Sequence, residues 1–285
     1  MNNLIGHQSI FKELKNLYIS NNFPKQILLN GKSGIGKSIL VKELLFFIFK
    51  DLQNSKNLIL NNSHPNIFTI KKNDDKKVVE INQIREMIQF HNNSSFFEKP
   101  KVIIIKDLEY LNHNSLNALL KVLEQPNQKT IFLLINNSDF KVLETIKSRC
   151  IEFKLYLTND ETKKIVDSNF DDNMYDKISD DFINKYSSPS FIISLTKHFI
   201  DNNLDISGVK IESFILSLIA KKNYKTDIFI KENINYFIEL FFYKNISSIP
   251  YKIKKYFLYK LNDVKKYNLD LESYLYEFEE KLLSG

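Results

Sequence analysis

The sequence is short of several residue types, and each shortage excludes something. Its 285 residues contain no tryptophan, one cysteine, six glycines and six prolines. A lone Cys150 cannot close an internal disulfide, so a disulfide-stapled scaffold is excluded. The scarcity of glycine and proline, with 43% hydrophobic residues, excludes collagen-like and disordered chains and leaves a folded protein of two or three domains. Apolar runs such as Leu44 to Phe49 fall far short of the roughly 20 residues that span a membrane. No cationic segment with a long apolar stretch opens the chain, so a cytoplasmic protein with no membrane partner is expected. Arginine is the scarcest charged residue: Arg85 and Arg149 stand alone among 40 basic positions.

What the chain has in abundance is lysine, spread among 34 acidic residues for a net charge of +6. The bias toward Lys, Asn and Ile reads as nucleotide composition of the coding sequence, since no dense basic stripe or nucleic-acid-reading motif is present. Up to about residue 155, short β-branched runs alternate with helical stretches, the pattern of a parallel sheet covered by helices. The expected strands are Gln26 to Leu29, Asn66 to Ile70, Val102 to Ile105, Thr130 to Ile135 and Ile151 to Lys154. The expected helices run from Lys37 to Phe49, Ile81 to Phe90, Asn114 to Glu124 and Phe140 to Lys147, and the polar stretches Asn54 to Asn62 and Lys71 to Lys77 read as surface loops. Beyond residue 155 helical periodicity takes over, as in Ile211, Phe214, Ile215, Leu218 and Ile219. A polar stretch at 201–208 divides this half. The expected domains are 1–155, 156–203 and 204–285.

The densest signal is Gly31-Lys32-Ser33-Gly34-Ile35-Gly36-Lys37-Ser38, which follows a strand and opens an apolar helix. That context is the one a phosphate loop requires. Glycines let backbone N–H groups turn inward around a phosphate, and the helix N-terminus adds its positive dipole end. Lys37 then bridges β- and γ-phosphates and Ser38 ligates Mg²⁺, so the expected ligand is ATP or ADP with Mg²⁺. The expected nucleotide-binding set in this segment is Gly31, Gly34, Ile35, Gly36, Lys37 and Ser38. The alternative is a glycine-rich turn that holds no nucleotide.

A hydrolysing site also needs carboxylates at the end of another buried strand. Val102 to Ile105 is that strand, but Lys106 follows it where a metal-directing Asp belongs. Asp107, one place later, remains as an acidic remnant. Lys106 either pairs with a phosphate or turns to solvent, and on either reading fast hydrolysis here is not expected.

With these positions fixed, the chain resembles the clamp-loader branch of the AAA+ ATPases, and within it the delta prime family of bacterial DNA polymerase III. The resemblance rests on Leu4-Ile5-Gly6-His7-Gln8, His64-Pro65-Asn66, Ile81 to Met87, Asn117-Ala118-Leu119-Leu120-Lys121 with Glu124-Gln125-Pro126, and Ser148-Arg149-Cys150. It implies an AAA+ P-loop domain with a five-stranded parallel sheet, then a small helical lid and a C-terminal helical bundle, the collar. It further implies that Asn136, at the sensor position ending the fourth strand, joins the nucleotide-binding set, and that Arg149 is an arginine finger reaching in trans to phosphates bound by a neighbouring subunit. A guanidinium fork suits phosphate oxygens better than a lysine point charge. The competing reading of Arg149 is an internal salt bridge, and Arg85 reads as a helix-face partner of a nearby acid. The implied partners are gamma/tau and delta subunits, with the sliding clamp and primer-template DNA reached through the assembly.

The departures are as informative. Relatives carry four zinc-binding cysteines where this chain has none, so no Cys-based zinc site is expected. Ser187 to Phe191 resembles the start of the second-sensor helix, with Phe191 where hydrolysing members place an arginine. The expected function is therefore a weakly hydrolysing or non-hydrolysing clamp-loader subunit that supports ATP-dependent clamp loading. Polymerase activity would belong to the assembly. The alternative is an autonomous P-loop ATPase, either a gamma/tau-like motor or a helicase loader.

Overall fold

A computed structural model describes residues 4–73, 76, 78–106, 108–125, 129–137, 142–170, 173–184, 187–267 and 269–283. The chain divides into two compact units, Met1–Ile165 and Val166–Gly285.

In the first unit the β-branched runs become five strands: β1 (Gln26–Gly31), β2 (Ile67–Ile70), β3 (Lys101–Ile105), β4 (Thr130–Asn137) and β5 (Ile151–Lys154). They form one parallel sheet in the order β2-β3-β4-β1-β5. Alternate residues serve opposite faces. Ile27, Leu29, Val102, Ile104, Ile131 and Leu133 pack into one core, and Leu28, Ile103, Ile105, Phe132 and Leu134 into another. A sheet buried on both faces needs apolar residues at every position, which is why its strands read as continuous apolar runs.

Helices α1 (Gln8–Ile19), α2 (Lys37–Ile48) and α3 (Ser55–Leu60) supply the first core through Leu14, Leu40, Val41, Leu44, Leu45, Ile48 and Ile59. Helices α4 (Ile81–Asn92), α5 (His113–Glu124) and α6 (Glu144–Lys147) supply the second through Ile84, Met87, Leu119, Leu123 and Ile146. The α3 helix corrects the expected loop at Asn54 to Asn62. Its Ile59 is buried, and Ser55 Oγ donates to Phe49 O at 2.8 Å, so one apolar anchor and one tether fold a polar segment. Part of the expected helix from Phe140 lies outside the described residues, as do Asp74, Asp75 and Lys77 of the second expected loop.

At the opposite end of the strands from the phosphate loop, Lys101 is buried at 2% exposure. Its ammonium donates to the carbonyls of Phe90 at 2.8 Å, His91 at 2.5 Å and Asn93 at 2.5 Å, closing the end of α4. A cation is well placed there, where a helix leaves its last carbonyls unsatisfied.

The second unit contains α8 (Pro189–Asp201), α9 (Ile211–Ala220), α10 (Asn223–Thr226), α11 (Ile228–Lys244), α12 (Tyr251–Tyr267) and α13 (Leu271–Phe278), reached through α7 (Asn159–Asp167). One apolar core joins Val166, Phe182, Phe199, Phe214, Phe237, Phe257 and Phe278, with Ile206 of the 201–208 stretch inside it. Ser188 caps α8 by accepting from Phe191 N at 3.4 Å, and Pro189 occupies its first turn. Phe191 packs on Tyr236 at 4.2 Å between ring centroids, within an aromatic cluster. Tyr243, Tyr251 and Tyr256 are exposed. Among the described residues no helix is long and apolar enough to cross a membrane.

Three helices end in the same way. After α1, α3 and α8, the residues Asn21, Asn62 and Asn203 adopt positive φ. The next residue then donates back to the carbonyl five positions earlier, at 2.9, 2.9 and 2.8 Å. This is the helix-ending motif in which glycine usually supplies the left-handed residue, and here asparagine supplies it.

Candidate nucleotide site

The strand order puts β4 and β5 on either side of β1, so the chain leaving β1 enters a switch point at the carboxyl edge of the sheet, the usual ligand position in such folds. Gly31 ends β1 opposite Asn137 of β4. A Cβ at Gly31 would lie 2.6 Å from Leu155 O and 2.7 Å from Ile35 Cδ1, so only glycine fits. Gly36 has φ 95° and stands immediately before α2, whose N-terminus is capped by no side chain. Ile35 turns inward and is buried. Its carbonyl accepts from His7 Nε2 at 2.8 Å, which pins the loop to the segment preceding α1. Burial holds the His7 imidazole below its ordinary range, so it is neutral at physiological pH.

Lys37 is buried, and its ammonium donates to Gly31 O at 2.7 Å, to Lys32 O and to Asn137 Oδ1 at 3.0 Å. Asn137 Nδ2 in turn donates to Glu109 Oε1. Ser38 is exposed at the first turn of α2. Asn136 points elsewhere: it is buried, and its Nδ2 donates to Asn30 Oδ1 at 3.0 Å and to Asn137 O at 2.9 Å. The side chain that meets Lys37 is therefore Asn137, one residue beyond the expected position. Asn137, Glu109 and His7 are not among the site residues the sequence predicts. Alternation along β4 decides between the two asparagines, and only the register against Gly31 shows which one faces the loop.

Lys106 and Ser38 line one cavity of about 640 Å³, together with Lys42 and Lys71; no carboxylate is among its described lining residues. Asp107 lies outside the described residues. Ser38 offers Mg²⁺ a neutral hydroxyl, and the anionic oxygens that ion prefers would come from the phosphates of a bound nucleotide. The glycine turn and Lys37 do fit a phosphate, provided the lysine exchanges its present acceptors.

Arg149 ends the turn after α6, half-buried. Its Nη2 donates to Glu124 Oε1 at 2.6 Å and its Nη1 to Thr145 O at 2.7 Å. The internal salt bridge is thus present in the isolated chain. Arg85 reaches Asn82 Oδ1 at 3.5 Å, an amide on its own helix face rather than the acid expected. Burial pushes the Cys150 thiol up to about 11, so it is protonated and unreactive at neutral pH.

The family model described as "DNA polymerase III, delta subunit" matches residues 6–159. The chain is 30% identical over 134 residues to DNA polymerase III subunit delta prime of Pseudomonas aeruginosa, covering 44% of this chain and 41% of that protein. It is 29% identical over 222 residues to DNA polymerase III subunit gamma of Buchnera aphidicola subsp. Schizaphis graminum, covering 72% of this chain and 60% of that one. The matches thus span about half the length of these curated relatives. In fold, the chain is similar to the crystal structure of a DNA polymerase III gamma subunit-related protein from Thermotoga maritima. The TM-score is 0.56 at 18% identity, over 94% of this chain and 96% of that chain. The match over more than half of the sequence, on an AAA+ type sheet with its phosphate loop at the switch point, places the chain in the DNA polymerase III delta subunit family, among its delta-prime-like clamp-loader members.

Proposed function

We propose that the chain is a delta-prime-type subunit that supports ATP-dependent loading of the sliding clamp. In this reading it holds ATP or ADP through Gly34, Gly36, Lys37 and Ser38 without turning it over quickly. Its catalytic contribution is Arg149, which exchanges Glu124 for phosphate oxygens at a neighbouring gamma or tau subunit, with delta completing the assembly. Clamp and primer-template DNA are reached through that assembly. The observation that carries the reading is the end of β3, where Lys106 shares a cavity with Ser38 in place of a carboxylate. A cation there opposes the metal-assisted step that hydrolysis requires. A guanidinium supplied in trans, by contrast, stabilises charge that grows on transferring phosphate.

The second reading, an autonomous motor of the gamma/tau kind, is favoured by the intact phosphate loop and by the gamma relative that covers 72% of this chain. ATP turnover by the purified chain separates the two. The proposal expects a rate well under about 1 s⁻¹, the low end of enzyme turnover. It also expects Arg149→Ala to lower DNA-stimulated turnover of the reconstituted assembly while the variant still folds and assembles. A faster rate for the chain alone, or an assembly indifferent to the substitution, overturns it.

A further inference from the structure

The group that Lys37 faces is itself held by a second charge. An ammonium can only donate, so the atom of Asn137 turned to Lys37 is Oδ1; an ionised carboxylate can only accept, so the atom turned to Glu109 is Nδ2. The amide is thereby fixed from both ends. The other oxygen of Glu109, Oε2, is buried and has no hydrogen-bond partner among the described residues. A buried carboxylate oxygen left unpaired is costly, and the cost falls as soon as a donor is supplied.

This arrangement opposes an added phosphate at one particular place. A phosphate that captures the Lys37 ammonium meets the acceptor end of Asn137, oxygen against oxygen. For Asn137 to donate to that phosphate, its amide must rotate half a turn, which brings Oδ1 against the carboxylate of Glu109. In either orientation one of the two contacts sets oxygen against oxygen.

We infer that Glu109 is a specificity-determining residue of the phosphate loop: by engaging the donor end of Asn137 it disfavours the terminal phosphate of a nucleoside triphosphate and biases the site toward the diphosphate. The inference rests on the proposal that the loop holds a nucleotide, and it names which one. Glu109 acts through Asn137 and is a positioning residue. Replacing it with glutamine supplies an NH₂ group that can face Oδ1 of the rotated amide, so both orientations become satisfied and the bias disappears.

The test is titration of the full chain with fluorescent mant-ATP and mant-ADP. The wild type is expected to bind the diphosphate more tightly, and Glu109→Gln to tighten the triphosphate about tenfold or more, the scale of one hydrogen bond to a charged group. Diphosphate affinity stays unchanged. Adding Asn137→Ala to Glu109→Gln removes the gain, because the coupling runs through that amide. Equal tightening of both nucleotides would mean plain charge repulsion and overturns the inference, as does no change in either. If wild type and Glu109→Gln are both folded by circular dichroism and bind neither nucleotide, the nucleotide-holding reading falls as well. Failure of the inference alone is recognised by a wild type that binds nucleotide and a variant that behaves identically.

Discussion

Single side chains decide most of the site, and several of them do so by being small or buried rather than by reacting. Gly31→Ala would press a methyl group against Leu155 O, a backbone atom that cannot move aside. It is expected to lower stability by about 1–3 kcal/mol, the range for overpacking, as a shift in the urea midpoint; an unshifted midpoint would show that β1 can slide away from β5. The phosphate loop itself was legible from residue types and spacing. Its immediate surroundings were not. Asn136 and Asn137 are indistinguishable in sequence, and the choice between them depends on a strand register that forms only when β4 pairs with β1. Glu109 belongs to a short turn after β3, and nothing local marks its carboxylate as reaching Asn137 across 28 positions. The role of His7 as a clip on Ile35 likewise depends on a contact 28 residues away.

Elements were more readable than contacts wherever the apolar pattern was strong. All five strands were expected, and each was found within about two residues, because a sheet covered on both faces imposes unbroken apolar runs. The α3 helix was missed for the opposite reason: Asn54 to Asn62 is polar apart from Leu58, Ile59 and Leu60, and one buried isoleucine is too little periodicity to read. The α1 helix could have been found from Ile10, Phe11, Leu14, Leu17 and Tyr18, which keep helical spacing. A further element-level device is invisible in sequence altogether. Lys101 lies just outside the expected strand Val102 to Ile105, yet it is the buried cap of α4, its ammonium held below the ordinary lysine range by burial. Lys101→Met keeps the apolar stem but strips the carbonyls of Phe90, His91 and Asn93 of their donor. A loss of about 2 kcal/mol is expected in chemical denaturation, the scale of leaving buried acceptors unsatisfied. Wild-type stability would mean that water reaches those carbonyls.

Across the whole molecule the two units carry different acid sensitivities. In the first unit His7, His64 and His91 are each held below the ordinary value of 6.5, chiefly by burial. The folded chain resists protons there that the unfolded chain accepts. Their contribution is therefore complete above the unfolded value and is lost as pH falls below it. In the second unit Glu272, paired with Lys225 and Lys222, and Glu277, paired with Lys260 and Lys281, are lowered to about 2. Their contribution is present above the ordinary carboxylate range and is lost progressively as pH falls from there toward about 2. Hydrogen exchange, corrected for intrinsic rates, should show protection falling first in residues 4–165 once pH drops below the ordinary histidine value, with residues 166–283 holding until the carboxylate range is reached. Simultaneous loss in both units would refute this assignment.

The asparagines that close α1, α3 and α8 bear on how the rest of the sequence can be read. Where a left-handed residue was needed simply to end a helix, this chain did without glycine. The chain's few glycines are thus not placed where asparagine serves as well. They are concentrated instead: Gly6, where a Cβ would strike Leu157 at 2.0 Å, and Gly31, Gly34 and Gly36 of the loop account for four of the six glycines in the chain. In so glycine-poor a chain the placement of glycine carries structural information, and it outlines the loop and the segment that clips it.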